Sequence, residues 1–384
     1  MVRNRHFYLF TLLLYCILFC SCIYDYDPKN DNLQGLDNPL VVVDGDILVG
    51  DITQVNISFT NKLSGDDSVG VPSGITVLVE SETGEVYSGF PVNEEADLFE
   101  IDTRDLTLDS RYRLIVSIPG RGEYVSSFKS VAVSPPIDKI TYSFSDDGTY
   151  ANIEVTTYNE DRDILYCKWN YTENWESPAV KKPTVEYIPY GVNEGFRELT
   201  DEERMERSYC WSEYASTDIC IANTEKLSQN IISKFILRRI PRTDTRVMGL
   251  YSVNVRQKAL DREAFIYWHT LQRNMGGTGG IFSAQPVDLR GNITSVTDTT
   301  EIAIGYINVT TVSEKRQFIN WEEYDFYESG CISLQFEAFD LIKIKYSEGY
   351  RVYSMGDGTP WWSLQRCVDC RSYSNSTRPD FWPR

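Results

Sequence analysis

The stretch YRLIVSIPGRGEYVSSF, residues 112–128, shows how the first part of this chain folds. Before the turn formers Pro-Gly-Arg-Gly (119–122), apolar side chains recur at every second position: Tyr112, Leu114, Val116 and Ile118. A second strand-like run follows at 124–128. Because successive side chains of a strand point to opposite faces, the stretch predicts a β-hairpin with one buried face.

The same pattern extends towards the N-terminus. Alternating residues at 75–79 are followed by Glu-Thr-Gly (82–84) and a return at 86–87, and the run 40–43 ends at an Asp44-Gly45 turn. Strands at short spacing with turn formers between them are typical of a sandwich. The sequence predicts an N-terminal immunoglobulin-like antiparallel β-sandwich over residues 39–134.

Pro135-Pro136 interrupts this pattern, and we expect a domain junction there because proline cannot donate to a ladder. After it, residues 140–144 and 153–155 flank Asp147-Gly148, which predicts another hairpin. Further strands are expected at 164–171, 281–282, 302–309, 332–336 and 342–346. The chain is therefore predicted to be mainly β, with a larger β-rich domain over 135–384 containing one or two short helices.

Two helices stand out in this second domain. Thr200 and Glu203 have the spacing of a capping box, which predicts a short helix through Arg207. Asp261 can cap a second helix near 261–275. Its expected buried face consists of Ala264, Phe265, Trp268, Leu271 and Met275.

The N-terminus has the composition of a secretory signal. Arg3 and Arg5 precede an apolar run at 7–19, and Ser21 is followed by Cys22. A cysteine in that place predicts a lipoprotein with signal peptide 1–21, a lipidated Cys22 and a flexible polar tether over 22–38. The alternative is a plain secretory signal. The lipoprotein interpretation predicts a chain that is held at a membrane by lipid.

The bulk composition restricts the partners. The chain has 384 residues and a formal net charge of −19. Negative charge argues against direct contact with nucleic acid or anionic headgroups, so the expected membrane contact is the lipid anchor. After the signal, no run of 18 apolar residues predicts a spanning helix.

Six cysteines remain beyond Cys22, and an even number in an exported protein favours disulfides. Cys210 and Cys220 are close enough to close a small loop, and Cys331 can meet Cys367 or Cys370. Cys367-Val-Asp-Cys370 also has the spacing of half a zinc site or a redox pair, although a bridge within that motif or to Cys331 is favoured. The disulfide candidates are Cys167, Cys210, Cys220, Cys331, Cys367 and Cys370.

Catalytic groups are scarce in this sequence. His6 leaves with the signal, and His269 is expected on the surface of the second helix. No nucleophile elbow, phosphate loop or zinc-protease motif is present. We therefore predict no enzymatic activity, no metal and no cofactor, with a hydrolase using paired acids as a remote alternative.

The segment WEEYDFY, residues 321–327, mixes aromatic rings with acids. Such surfaces bind sugars and protein partners, whereas the alternative interpretation is ordinary packing against a sheet. Trp321, Tyr324 and Tyr327 are therefore the candidate ligand-binding residues.

The order of several short motifs resembles a known family. The motifs are LVVVDG (40–45), PPID (135–138) with Ile140, AFIYW (264–268), GIF (280–282), GNI (291–293), Gly305-Tyr306 and CVDCR (367–371). From Leu40 to Cys370 the chain is similar to the Bacteroidota lipoproteins called domain of unknown function 4249. The family has no established activity and no agreed binding residues.

Genes of that family commonly lie beside TonB-dependent outer-membrane receptors. The resemblance therefore implies a non-enzymatic accessory or binding subunit of a TonB-dependent nutrient transporter. Together with the lipoprotein interpretation, it predicts an outer-membrane protein that faces the cell surface. The alternative is a surface adhesin or a structural lipoprotein of the envelope, which sandwich domains and disulfides fit equally well.

Overall fold

The computed structural model describes residues 39–60, 70–92, 97–160, 164–192, 194–275, 291–298, 301–336, 338–374 and 377–383. The predicted signal peptide (1–21), the lipidation site Cys22 and the tether (22–38) lie outside the described residues, as does the expected strand at 281–282. Within the chain, Val41–Ser58 and Gly70–Arg384 form one compact unit.

The first sheet is built from the predicted alternating runs. Its early strands are β1 (Val41–Gly45), β3 (Ile52–Phe59), β4 (Thr76–Ser81), β5 (Val86–Pro91), β6 (Leu98–Asp102), β7 (Arg111–Ile118), β8 (Gly122–Ser126) and β9 (Lys129–Ser130). The short strand β2 (Ile47–Leu48) follows β1 in the chain but belongs to a separate two-stranded sheet. β7 and β8 form the predicted hairpin, with Val116 opposite Tyr124. Tyr112, Leu114, Val116 and Ile118 are all buried, as the alternation requires.

A second pair of sheets follows Pro135-Pro136. Its strands, with a small hairpin among them, are β10 (Ile137–Phe144), β11 (Tyr150–Tyr158), β12 (Tyr166–Glu176), β13 (Val185–Ile188), β14 (Gly195–Glu198), β15 (Trp211–Ala215), β16 (Cys220–Asn223), β17 (Ile231–Pro241) and β18 (Leu250–Ala259). β10, β11 and β17 form one sheet, and β12 pairs with β15, β16 and β18 in the other. Both sheets, which we call the second sandwich, contribute to one core around Trp169, Tyr251 and Trp321.

A later segment returns to the first sheet. β19 (Ile293–Ser295) pairs with β8, and β20 (Ala303–Ile304) runs parallel to β1. Beyond them, β21 (Val309–Thr310) runs parallel to β2 in the separate two-stranded sheet. A single bridge, Thr294 to Ile302, joins the two end strands of the first sheet. The sheet predicted for 39–134 thus takes strands from a segment that the sequence placed in the second domain. The boundary at 134 stays a prediction.

β22 (Val312–Asn320) joins β18 in the sheet that contains β12. The strands β23 (Leu334–Gln335), β24 (Tyr350–Gly356) and β25 (Thr359–Leu364) form a small sheet, which makes up a C-terminal lobe with the β13–β14 hairpin. The shorter helices are Asp201–Ser208, Phe339–Ser347 and Gln365–Val368, with 3₁₀ turns at Thr245–Val247, Trp321–Tyr324 and Cys370–Ser372. The capping box of Thr200 and Glu203 is present as predicted.

The strand predicted at 342–346 is wrong, because this segment lies in the helix Phe339–Ser347. Ile342 packs into the lobe core beside Trp362, whereas Leu341 and Ile344 are exposed. A short apolar run cannot distinguish a strand from a helix by periodicity alone.

The long helix is Arg262–Met275, and the Asp261 carboxylate accepts a hydrogen bond from the Ala264 amide at 2.6 Å. Its predicted buried face is only partly right. Ala264 and Tyr267 are buried, and Phe265, Trp268 and Leu271 pack at the margin of the same small core. Met275 is 68% exposed at the end of the helix.

One of the expected cysteine pairings, Cys331 with Cys367, is confirmed, whereas the pairing of Cys210 with Cys220 is wrong. The disulfides are Cys210–Cys370 and Cys331–Cys367. Cys210 cannot reach Cys220, because the strands that carry them pair with β12 near Glu176 and at Trp169. At about 3.3 Å per residue these two places on β12 are roughly 20 Å apart, which is far beyond disulfide range.

Cys167 and Cys220 are free thiols buried in the core of the second sandwich, so they are not disulfide partners. A bridge within Cys367-Val-Asp-Cys370 is also excluded, because each of these cysteines bonds to a different partner.

The fold is mainly β, as predicted. Its immunoglobulin-like character in the N-terminal part stays a prediction. No helix in the described part of the chain is both long and apolar enough to cross a membrane.

Candidate functional site

The core of the second sandwich opens to solvent at the end of β10. After a register shift between Ile137 and Lys139, the strand turns Ile140, Tyr142 and Phe144 to one face. Burial falls along this row: Ile140 is buried, Tyr142 is partly buried, and Phe144 is 39% exposed. The core therefore ends in rings that water can reach.

The segment after β22 supplies the other side of this opening. Trp321 begins the 3₁₀ turn and is 1% exposed, whereas Tyr324 at its end is 42% exposed. We call the cluster of Tyr142, Phe144, Trp321, Tyr324 and Phe326 the aromatic mouth. It combines a buried tryptophan with an exposed rim.

Ring contacts hold the aromatic mouth together. The ring centroids of Tyr142 and Trp321 are 5.2 Å apart in an edge-to-face arrangement, and those of Phe144 and Phe326 are 4.8 Å apart. Tyr142 and Tyr324 also meet edge to face at 5.5 Å. Because such pairs contribute roughly 0.5–1.5 kcal/mol each beyond area burial, the rim is pre-organised.

A hydroxyl pair crosses the rim, where the Tyr142 hydroxyl donates a hydrogen bond to the Tyr324 hydroxyl. This bond, together with burial, raises the pKa of Tyr142 to about 12. Tyr142 therefore stays protonated at physiological pH and remains a neutral donor.

Trp321 forms the floor of the aromatic mouth, and a buried ion pair lies behind it. Trp321 contacts the Tyr251 ring at 6.3 Å, and the Tyr251 hydroxyl donates to the Glu173 carboxylate at 2.6 Å. Arg246 reaches the same carboxylate at 3.2 Å and lies over the Trp175 ring. Burial raises the pKa of Glu173, which is fully enclosed. The hydrogen bonds from two partners fix this support in one geometry.

The rim also carries acids. Glu322, Glu323 and Asp325 flank Tyr324 in the sequence, and Glu323 accepts a hydrogen bond from Asn320 at 2.9 Å. Exposed ring surface beside hydrogen-bond acceptors is suited to binding a sugar or a protein partner, as the sequence predicted for this segment.

The three predicted binding residues separate. Trp321 and Tyr324 both belong to the aromatic mouth. Tyr327 instead lines a cleft with Arg366 and Tyr373. Sequence reasoning missed Tyr142 and Phe144, although their alternation with Ile140 was a signal that they share its face.

Other features that the sequence singled out are structural or uninformative. The His269 ring is stacked on Phe265 on the exposed side of its helix. Asn292 of the GNI motif exchanges two 2.8 Å hydrogen bonds with the backbone of Ile307 and so fixes the returning segment. Among the described residues, no group of three or more histidine, cysteine or acidic side chains is arranged to hold a metal.

The comparisons with known proteins identify a family. The profile of the family "Domain of unknown function (DUF4249)" matches residues 23–316, so the chain belongs to this family. No curated protein is similar enough to this chain to count as a match.

Among solved structures, a DUF4785 family protein from Legionella pneumophila subsp. pneumophila is 13% identical, with a TM-score of 0.19. The alignment covers 56% of this chain and 52% of that chain, so this chain spans about half the length of that protein. A similarity at this level supports no statement about function.

Proposed function

We propose that this DUF4249 protein is an exported, non-enzymatic lipoprotein that docks on a TonB-dependent transporter of the outer membrane and helps to capture its ligand. Cys22 would carry the lipid, and the tether 22–38 would link it to the folded part. A lipid leash raises the effective concentration of a binding surface beside its transporter, so even a weak contact becomes useful.

The aromatic mouth is the observation that carries this proposal. Interfaces are enriched in tyrosine, tryptophan and phenylalanine, and the rim exposes Phe144 and Tyr324 on a rigid floor. The two disulfides also support export, because such bonds persist in oxidising compartments. The transporter is suggested by the gene neighbourhood that the family resemblance implies.

Site-specific photo-crosslinking in living cells tests the surface. A crosslinker at position 324 should capture a TonB-dependent receptor. The matched control is position 90, because Phe90 is a 70% exposed aromatic residue on β5, away from the aromatic mouth. Capture from both positions, or from neither, would contradict the assignment of the aromatic mouth as the docking surface.

The adhesin alternative predicts a different result. A deletion strain would lose surface attachment while it takes up nutrients normally. That outcome would replace the transporter partnership.

A further inference from the structure

The cleft that Tyr327 lines has no assigned role. Its volume is about 440 Å³, which lies within the range of about 300–1,000 Å³ typical of small-molecule sites. Most of the residues that line it have polar side chains. We call it the Arg366 cleft, and its lining includes Thr243, Tyr327, Glu328, Ser329, Arg366 and Tyr373.

Among the described residues that line the cleft, Arg366 is the only cation, and no described residue pairs with it. Arg371, in the 3₁₀ turn that follows the helix of Arg366, differs in this respect. The Arg371 guanidinium binds the Asp369 carboxylate at 2.8 Å and lies 3.4 Å from that of Glu206. In a chain with a net charge of −19, an exposed guanidinium without a carboxylate partner is a positive charge available to a ligand.

Glu328 carries the only carboxylate among the described residues of the wall, and this carboxylate is already engaged. Glu328 lies 3.2 Å from Arg242, and its amide donates to the Arg242 carbonyl at 2.8 Å. These two opposite charges compensate each other. The charge of Arg366 therefore remains uncompensated inside the cleft.

Neutral hydroxyl groups line the same cleft as the guanidinium. Burial raises the pKa of Tyr327, although the nearby positive charge of Arg366 partly opposes this. Burial likewise raises the pKa of Tyr373 above the usual range, so both phenols stay protonated. The hydroxyls of Thr243 and Ser329 add further neutral partners on the same wall.

The backbone behind Arg366 is fixed covalently. Arg366 immediately precedes Cys367, whose disulfide partner Cys331 also lines the cleft. A site held in place before binding loses less entropy on binding.

From these observations we propose that the Arg366 cleft binds a small solute through a single carboxylate, which pairs with the Arg366 guanidinium while the hydroxyls bind its polar remainder. One guanidinium matches one carboxylate in charge and in two-pronged geometry. A single guanidinium would balance only part of the charge of a doubly charged phosphate. The proposal does not require the transporter partnership, since purified protein alone tests it.

The test is a binding titration of the full-length protein with its disulfides intact. The probes are glucuronate and N-acetylalanine, and the matched neutral compounds are glucose and N-acetylalaninamide. We expect saturable binding of a carboxylate and none of its neutral counterpart. Binding of glucuronate alone would identify an acidic sugar as the source of the carboxylate, and binding of N-acetylalanine alone would identify a peptide C-terminus.

Two variants examine the role of the guanidinium. Arg366→Gln should weaken binding at least about tenfold, because charge-assisted hydrogen bonds are lost. Arg239→Gln removes the same charge from an exposed position of β17 outside the cleft and should leave affinity unchanged. Arg366 is exposed, so both variants should melt like the parent protein.

Tyr327→Phe keeps the ring, removes one hydroxyl and should weaken binding by a smaller factor than Arg366→Gln. The proposal is overturned if neither carboxylate binds at about 10 mM, a concentration well above ordinary dissociation constants for small solutes. It is equally overturned if the neutral compounds bind as well, or if Arg366→Gln retains full affinity.

Discussion

Lys168 on β12 is a buried cation, and its side chain faces the helix Arg262–Met275. It is 8% exposed, and its ammonium lies 3.1 Å from the centroid of the Trp268 ring. The ion pair between Lys258 and Asp46, with atoms 2.8 Å apart, is close enough to act on it electrostatically. Burial, partly opposed by Asp46, lowers the pKa of Lys168 to about 8.

Lys168→Met should therefore stabilise the protein at pH 7. Below pH 8 both folded and unfolded chains hold the proton, and the folded state bears the full cost of burying it, at most about 3 kcal/mol. Between about pH 8 and pH 10.4 the unfolded chain binds more protons, so the parent protein gains stability relative to the variant as pH rises. Urea unfolding of both proteins at pH 7 and pH 10 should show the gap shrinking.

Lys258→Met serves as the control for this prediction. It removes the partner of Asp46, which is 3% exposed, and should destabilise the protein at pH 7. A gap between the parent protein and Lys168→Met that does not change with pH would contradict the shifted pKa.

The C-terminal lobe is built from short strands and helices, and two disulfides link it covalently. Cys331–Cys367 joins residues 36 apart, and Cys210–Cys370 joins residues 160 apart. Cross-links of this kind restrict the unfolded chain, so the lobe depends on them for stability.

Replacing Cys331 and Cys367 together by serine should lower the free energy of unfolding by roughly 2–5 kcal/mol. Urea unfolding measures this loss. Peptide mapping without reductant should still recover Cys210 linked to Cys370 in the variant. Recovery of Cys210 linked to Cys220 in either protein would contradict the described connectivity.

Local elements were predictable because their causes are local. The hairpin at 112–128 follows from alternation and a turn, and the helix Asp201–Ser208 follows from the capping box of Thr200 and Glu203. The disulfide partners were not predictable, since they depend on which strands lie beside β12. The meeting of Tyr142 with Trp321 likewise depends on how two sheets pack, which no single segment encodes.

At the scale of the whole molecule, a late segment of the chain completes an early sheet. Gly305 on this segment lies against β1, and a Cβ atom there would come within 2.1 Å of the Val43 carbonyl oxygen. At Gly291 a Cβ would come within 1.5 Å of the Gly305 carbonyl oxygen. Glycine at both positions therefore permits the close approach that joins residues 291–298 and 301–310 to the first sheet. Sequence reasoning identified these glycines only as family motifs, because the contact joins residues far apart in the chain.

The proposed partnership with a TonB-dependent transporter involves the whole molecule. It is tested most directly by affinity purification of a C-terminally tagged copy from gently solubilised outer membranes, followed by mass spectrometry. We predict a TonB-dependent receptor in stoichiometric amount, and a reduced amount when Phe144 and Tyr324 are both replaced by alanine. Recovery of the tagged protein without a transporter would contradict this partnership.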